Sequence, residues 1–304
     1  MCRNVDGPPG PVRRVNLSTD IQPMRSGTEM INVPSACESL TTQLSGGGFV
    51  AAEEEAEELL ACAAGDVELL ESFVERRLAG EPFAWITGTV RFCGLEIRID
   101  PGVYVPRWQS EPLARRAVER LPSNGIAIDL CTGAGAIAKV LSTERPDARD
   151  VATDIDERAV ACAISNGVEA YRCDLFSSVP GALAGRADVI VGVVPYVPTS
   201  SLPFLPRDTF AFESPLSYDG GPDGTDILRR ALTDGRRFLR HGGALLLEVG
   251  GEQAGVLGDV LERLGYIDVI VHDDEDGDAR SIEAILNVIP PRDHNRHVGI
   301  ETCT

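Results

Sequence analysis

Lysine is all but missing from this chain. Lys139 is the only one in 304 residues, and 28 basic side chains stand against 47 acidic ones for a formal net charge of −19. No run of Lys or Arg interrupts that balance, which excludes a phosphate-tracking surface for nucleic acid. No continuous apolar stretch approaches the roughly 20 residues needed to cross a bilayer, and the N-terminus lacks an apolar signal core. The eight cysteines (Cys2, Cys37, Cys62, Cys93, Cys131, Cys162, Cys173 and Cys303) include no C-x-x-C pair and no paired Cys/His spacing. A disulfide framework or a metal site therefore has no support. What remains, with 43% hydrophobic residues, is a folded cytoplasmic protein with no membrane or nucleic-acid partner, long enough for one large core or two smaller ones.

Met1 to Gly48 is rich in Pro, Ser, Thr and Gly, has no sustained apolar period and ends in three glycines, so a disordered leader is expected over 1–48. Ala51 to Ala64 reads as a helix. A second helix follows Gly65 with Asp66 as N-cap, carries Leu70, Phe73, Val74, Arg77 and Leu78 at helical spacing, and ends at Gly80. Two amphipathic helices cannot bury both apolar faces alone, so this unit must lean on the main domain or on a second copy of itself; a homodimer through it is an expectation. Phe83 to Val105 alternates around Gly88 and Gly94 as a β-hairpin connector does, completing a helical unit with connector over 49–105. Beyond Pro106 strand and helix alternate. Strands are predicted near Ile126 to Leu130, Val151 to Asp154, Asp188 to Val193, Ala244 to Val249, Ile267 to Val271 and Ser281 to Val288, with helices near Ala136, Glu157, Asp226 and Gln253. That pattern gives an α/β fold over 106–290, a parallel sheet with an antiparallel edge and ligands at the carboxyl ends of its strands, followed by a loose tail over 291–304.

The stretch from Ile126 to Ala138 reads as an apolar strand, a glycine turn and the first turn of a helix. Gly133 and Gly135 permit positive φ and close approach of a ligand to the backbone, and the helix beginning near Ala136 aims free N–H groups at it. A dinucleotide site wants a third glycine where Ala138 stands. Asp129, a carboxylate at the strand end, suits a cationic or polyhydroxylated ligand better than a pyrophosphate, which points to S-adenosylmethionine. Asp154, 21 residues beyond Gly133, fits a ribose diol or, alternatively, a helix cap before Glu157. Asp174-Leu175-Phe176 offers an acid for an adenine amino group beside an apolar wall, or a solvated turn. The expected cofactor set is Asp129, Cys131, Thr132, Gly133, Gly135, Asp154, Ile155, Asp174, Leu175 and Val193.

The chain resembles the bacterial release-factor glutamine N5-methyltransferases. The resemblance lies in Arg77 to Gly88 (RLAGEPFAWITG), Val105 to Glu111 (VPRWQSE), Asp129 to Ala138, Asp174 to Phe176, the loop at Pro195, Asp219 to Asp226 (DGGPDGTD), Glu248 to Gln253 (EVGGEQ) and Asp276 to Arg280. It implies a Rossmann-like, seven-stranded class I methyltransferase sheet behind a small helical N-terminal domain, with S-adenosylmethionine as cofactor. The family's Asn-Pro-Pro-Tyr, whose Asn side chain and following carbonyl hold a glutamine amide, reads here Val193-Val194-Pro195-Tyr196. Its Pro-Arg-x-x-Thr-Glu reads Pro106-Arg107-Trp108-Gln109-Ser110-Glu111.

A valine offers an amide neither donor nor acceptor, and an unpaired buried amide group costs about 1 to 3 kcal/mol. The departure therefore favours a different nitrogen. A guanidine, a planar cationic fork, needs carboxylates. Asp208, Glu213, Asp219 and Glu248 are candidates, Glu213 and Glu248 foremost, with Phe204, Phe210 and Phe212 as possible pocket walls. The expected catalytic residues are Tyr196, Glu213 and Glu248. Those expected to touch the acceptor are Val194, Pro195, Tyr196, Trp108 and Glu213. The expected acceptor is a small amino-acid-type molecule, the guanidine of free arginine first. Its rivals are a release-factor glutamine and a non-catalytic cofactor-binding module.

Overall fold

A computed structural model of the chain describes residues 33–205 and 211–287, which fall into two compact units divided between Ala79 and Gly80. The first contains three helices, α1 (Val33–Gly46), α2 (Ala52–Ala63) and α3 (Val67–Leu78). Helix α1 corrects the disordered leader expected over 1–48: Leu40 and Leu44, four residues apart, are buried on a helix that packs against α2. A two-leucine stripe among Ser, Thr and Gly is too sparse to register as a period. Residues 1–32 lie outside the described residues. Asp66 caps α3 as its spacing predicts, accepting the Leu69 N–H at 3.0 Å. Arg77, placed among apolar positions, is buried and gives both Nε and Nη2 to Glu55 of α2 at 2.7 and 2.8 Å, a fork that satisfies both charges.

The second unit opens with α4 (Phe83–Thr87) and a hairpin of β1 (Thr89–Phe92) and β2 (Leu95–Arg98). The connector thus begins helical rather than extended. It also belongs to the larger unit, not to a domain over 49–105, because Phe92, Ile97 and Ile99 enter the core of that unit and Trp85 donates to the Val103 carbonyl at 2.9 Å. Helix α5 (Glu111–Arg120) has no counterpart in the sequence expectations. Its apolar side is Leu113, Ala114 and Ala117, with Val118 partly buried against the same core, among arginines and glutamates.

Seven strands make the main sheet: β3 (Ile126–Leu130), β4 (Arg149–Asp154), β5 (Ala170–Arg172), β6 (Ala187–Gly192), β7 (Leu239–Glu248), β8 (Tyr266–Asp273) and β9 (Ala279–Leu286). Their order is β5-β4-β3-β6-β7-β9-β8, with β9 antiparallel to both neighbours. Three-residue β5 is too short to carry a pattern and is missing from the strands expected by periodicity. Helices α6 (Ala136–Glu144), α7 (Glu157–Ser165), α8 (Asp226–Gly235) and α9 (Gln253–Arg263) fall where predicted. Successive strand residues face opposite sides. Ile128, Leu130 and Ile190 accordingly join α8 and α9 in one core, while Ala127, Val189 and Val191 join α5, α6 and α7 in the other. Central strands buried on both faces explain the near-continuous apolar runs of β3, β6 and β7. The strand order reverses between β3 and β6, where a doubly wound sheet opens a crevice at the carboxyl ends. No helix among the described residues is long and apolar enough to cross a membrane.

Candidate active site

At that crevice β3 gives way to a turn in which Cys131, Gly133 and Gly135 all have positive φ, at 52°, 57° and 82°. Gly135 is required by packing: a Cβ there would stand 3.0 Å from the Ala163 Cβ and 3.1 Å from the Val168 side chain. The Gly133 N–H donates to Asp154 Oδ2 at 2.9 Å, and Asp154 Oδ1 accepts the Asp156 N–H at 2.9 Å. Asp154 therefore braces the glycine turn, and the N-cap of α7 is Asp156 instead. Burial raises the Asp154 pKa against those two donors.

Asp129 is 1% exposed. Its Oδ2 accepts the Thr132 hydroxyl at 2.5 Å and the Ala138 N–H at 3.3 Å, whereas Oδ1 has no hydrogen-bond partner among the described residues. Burial pushes its pKa up to about 7, beyond what the two donors take back. A buried carboxylate oxygen with no donor is rare and costly, and it marks a place for a ligand's cation or N–H. Beside it opens a pocket of about 360 Å³, its mouth included, lined by Asp129, Cys131, Thr132, Val193, Tyr104 and Ser110 among others. Of the expected cofactor residues, Asp129, Cys131, Thr132 and Val193 line this pocket, and Gly133 with Asp154 adjoins it through their hydrogen bond. Gly135, Ile155, Asp174 and Leu175 are not in its lining: Gly135 packs on Ala163 and Val168, Asp174 pairs with Arg230 at 2.8 Å on the surface, Leu175 is buried in the core, and Ile155 is half exposed. The Cys131 thiol is driven up in pKa by burial and by Asp154, Asp129 and Asp174, so it stays a neutral, inert group.

The loop after β6 forms the other wall. Val193 lines the pocket, Val194 is buried, and the Tyr196 carbonyl accepts from Gln253 Nε2 at 2.7 Å. Gly220 and Gly224 press against the same backbone. A Cβ on Gly224 would lie 2.2 Å from the Tyr196 carbonyl oxygen, and one on Gly220 would lie 2.8 Å from the Tyr196 Cα. Val197 also exchanges hydrogen bonds with Tyr218 and Gly220, at 2.8 and 2.9 Å. The glycine-rich segment 219–226 and the segment 248–253 thus share one task, fixing the backbone at Tyr196.

The two preferred carboxylates do not face the crevice as open acceptors, which corrects the expectation for both. Glu213, 4% exposed, accepts the Val105 N–H at 2.9 Å, Arg107 Nη2 at 2.8 Å and the Tyr218 hydroxyl. Glu248, 7% exposed, accepts the Tyr196 hydroxyl on Oε1 at 2.8 Å and the Ser110 hydroxyl on Oε2 at 2.5 Å. A carboxylate withdrawn from water is tolerated where the chain itself supplies the donors, and these two are so supplied. Asp219 staples its loop, accepting from the Thr199 hydroxyl at 2.6 Å and the Gly221 N–H at 3.0 Å. Phe204 is 86% exposed and walls nothing, while Phe212 packs edge-to-face on Trp85 at 6.4 Å. Asp208 and Phe210 lie outside the described residues. Trp108 is exposed on a short 3₁₀ turn and is not in the pocket lining, and Pro195 is half-buried. In that segment Ser110, whose hydroxyl reaches Glu248, is not among the expected site residues, whereas its neighbour Trp108 is. Glu111 instead holds the hairpin turn, accepting the Cys93 N–H at 2.8 Å. Tyr104 was also missed; its ring packs on Tyr218 and lies 5.4 Å from the Arg107 guanidinium.

The reversed strand order, the antiparallel β9 and the glycine turn beside a buried acid define a class I methyltransferase. No family model matches the chain. It is 38% identical over 199 residues to the release factor glutamine methyltransferase of Moorella thermoacetica, covering 63% of this chain and 70% of that protein. It is 32% identical over 227 residues to that of Geobacter sulfurreducens, covering 73% and 76%. A solved protein-(glutamine-N5) methyltransferase from Alicyclobacillus acidocaldarius is 25% identical, covering 60% of this chain and 95% of that one, with a TM-score of 0.38. The chain belongs to the release factor glutamine methyltransferase family and is an S-adenosylmethionine-dependent methyltransferase. Its residues fit that cofactor: the open Asp129 oxygen matches a cationic, N–H-bearing ligand, and Asp154 keeps the adjoining glycine turn in place. When bound, the cofactor supplies an electrophilic methyl group on a sulfonium.

Proposed function

We propose that the protein methylates the side-chain amide nitrogen of a glutamine in a peptide chain release factor. The observation that carries this reading is that Glu213 and Glu248 are each held by donors of this chain, so that among the described residues neither stands as an open carboxylate for a guanidinium. A neutral acceptor suits such a wall better than a cation does. The names of the relatives agree with it, and the small-molecule acceptor expected from the valine substitution gives way to a protein one. Catalysis is then chiefly positioning. The carbonyls of Val193 and Val194 offer acceptors for the amide N–H groups, Tyr196 flanks the amide, and Gln253 with Gly220 and Gly224 holds that loop rigid.

The test is transfer of labelled methyl from S-adenosylmethionine to purified release factor, with the glutamine identified by mass spectrometry. Val193→Asn, which restores an amide-binding side chain, is expected to raise kcat/KM on the release factor by about tenfold, the scale of one added hydrogen bond. No label on the release factor overturns the reading. A second reading, free arginine as acceptor, is favoured by Val193 itself, which gives an amide no partner; labelling of free arginine by the wild-type protein would establish it.

A further inference from the structure

Ser110 has no part in the reading above, yet it is 4% exposed, lines the pocket with Val193 and Asp129, and donates to Glu248 at 2.5 Å, the length of a charge-assisted O–H···O bond. With its single hydrogen committed to Glu248, the hydroxyl meets the pocket as an acceptor. We propose that Ser110 is a catalytic residue of the methyl transfer, taking the proton that the acceptor nitrogen loses and passing its own to Glu248. The inference rests on the amide reading, because an amide nitrogen must shed a proton to end as a neutral N-methyl amide.

The step balances. The nitrogen lone pair forms the N–C bond, the sulfonium sulfur keeps the electrons of the broken S–C bond as a thioether, the nitrogen's proton moves to Ser110 Oγ, and the serine proton moves to Glu248 Oε2. Other groups near the pocket are poor bases. Cys131 is held as a thiol and Tyr104 as a phenol by burial, while Asp129 has Oδ2 engaged by Thr132 and the start of α6 and its open Oδ1 on the cofactor wall, where a cation or N–H of the bound cofactor takes it. Glu248 is faced by Tyr196 from the loop after β6, by Tyr104, and by Arg280 of β9, whose guanidinium is tied to Asp274 at 2.6 Å. Burial outweighs these partners and raises the carboxyl pKa, making Glu248 a better proton acceptor near neutrality than an exposed glutamate.

Ser110→Ala is expected to lower kcat on the release factor by about 10²-fold with KM within about twofold, the scale of a lost proton-transfer group. Ser110→Thr restores most of it. Glu248→Gln gives a comparable loss and flattens the acid limb of the pH profile. Calorimetric affinity for S-adenosylhomocysteine stays within about twofold in all three, since the relay acts on the acceptor; equal loss of that affinity would mark a merely structural role and overturn the proposal. So would a Ser110→Ala enzyme with wild-type kcat and an intact acid limb. Infrared titration of the Glu248 carboxyl, by difference with Glu248→Gln, is read without any acceptor: protonation only in the ordinary range near pH 4 overturns the relay. Wild-type protein that transfers nothing to the release factor overturns the proposed function instead, and the infrared result then decides the relay alone.

Discussion

The two walls of the crevice handle buried acid differently. On the cofactor wall Asp129 keeps one oxygen without a donor, whereas on the acceptor wall Glu213 and Glu248 are filled by hydroxyls, a guanidinium and a backbone N–H of the same chain. An open valence inside a protein is held for something that arrives, and a closed one holds what is already there. The contrast separates a residue that recognises an arriving ligand from residues that are engaged within the chain. Neither glutamate that composition offers as a guanidine receiver is open for that role: Glu213 fastens Arg107, and Glu248 holds Tyr196 and Ser110, the latter as its partner in the proposed relay.

The sharpest way to break the comparison is Asp129→Asn. It is expected to weaken S-adenosylhomocysteine binding by about 10- to 100-fold, from one charge-assisted hydrogen bond. Thermal stability should not fall, because a buried charge is removed. Calorimetry and a melting curve measure both; unchanged affinity would mean that the open oxygen recognises nothing. Next is Gly224→Ala. The added Cβ meets the Tyr196 carbonyl at 2.2 Å and φ is +75°, so the loop must move. About 10-fold in kcat and 1–3 kcal/mol of stability should be lost, with cofactor binding kept.

Arg107→Ala leaves Glu213 with the Val105 N–H and Tyr218 hydroxyl. As the Arg107 side chain is 35% exposed, the expected loss in urea unfolding is about 1–2 kcal/mol rather than the several typical of a fully buried pair. The smallest effect is a fraction of a proton. The Asp129 pKa is raised in the folded state, to about 7 from an ordinary 3.8. Between those values the folded form holds more protons than the unfolded one, so its contribution to stability falls as pH rises through that window and levels off above about 7. A cationic ligand favours the ionised carboxylate. Binding should therefore release protons near pH 6 and tighten toward pH 7, as calorimetry in buffers of different ionisation enthalpy would reveal.

Much of the fold can be read from periodicity. Five of the strands and helices α6 to α9 sit within a few residues of their expected places, because long apolar runs and glycine breaks are local signals. Strand β7 extends further back than expected, to Leu239, and β5, α1 and α5 escape for different reasons: the first is too short to have a period, and the other two have apolar stripes of only two to four residues. At the site, Asp129 was legible as an acid at a strand end before a glycine turn. The roles of Glu213 and Glu248 were not, since three of their donors, Val105, Arg107 and Ser110, lie more than a hundred residues away in sequence.

What the sequence determined by itself is the alternating strand and helix scaffold, the glycine turn and the identity of the family, all of them carried by short-range patterns. Which carboxylate stays open and which is closed was decided only when the chain closed on itself. Hydrogen bonds of 2.5 to 2.9 Å join segments that no local pattern relates, and a buried charge takes its role from the donors that folding brings to it.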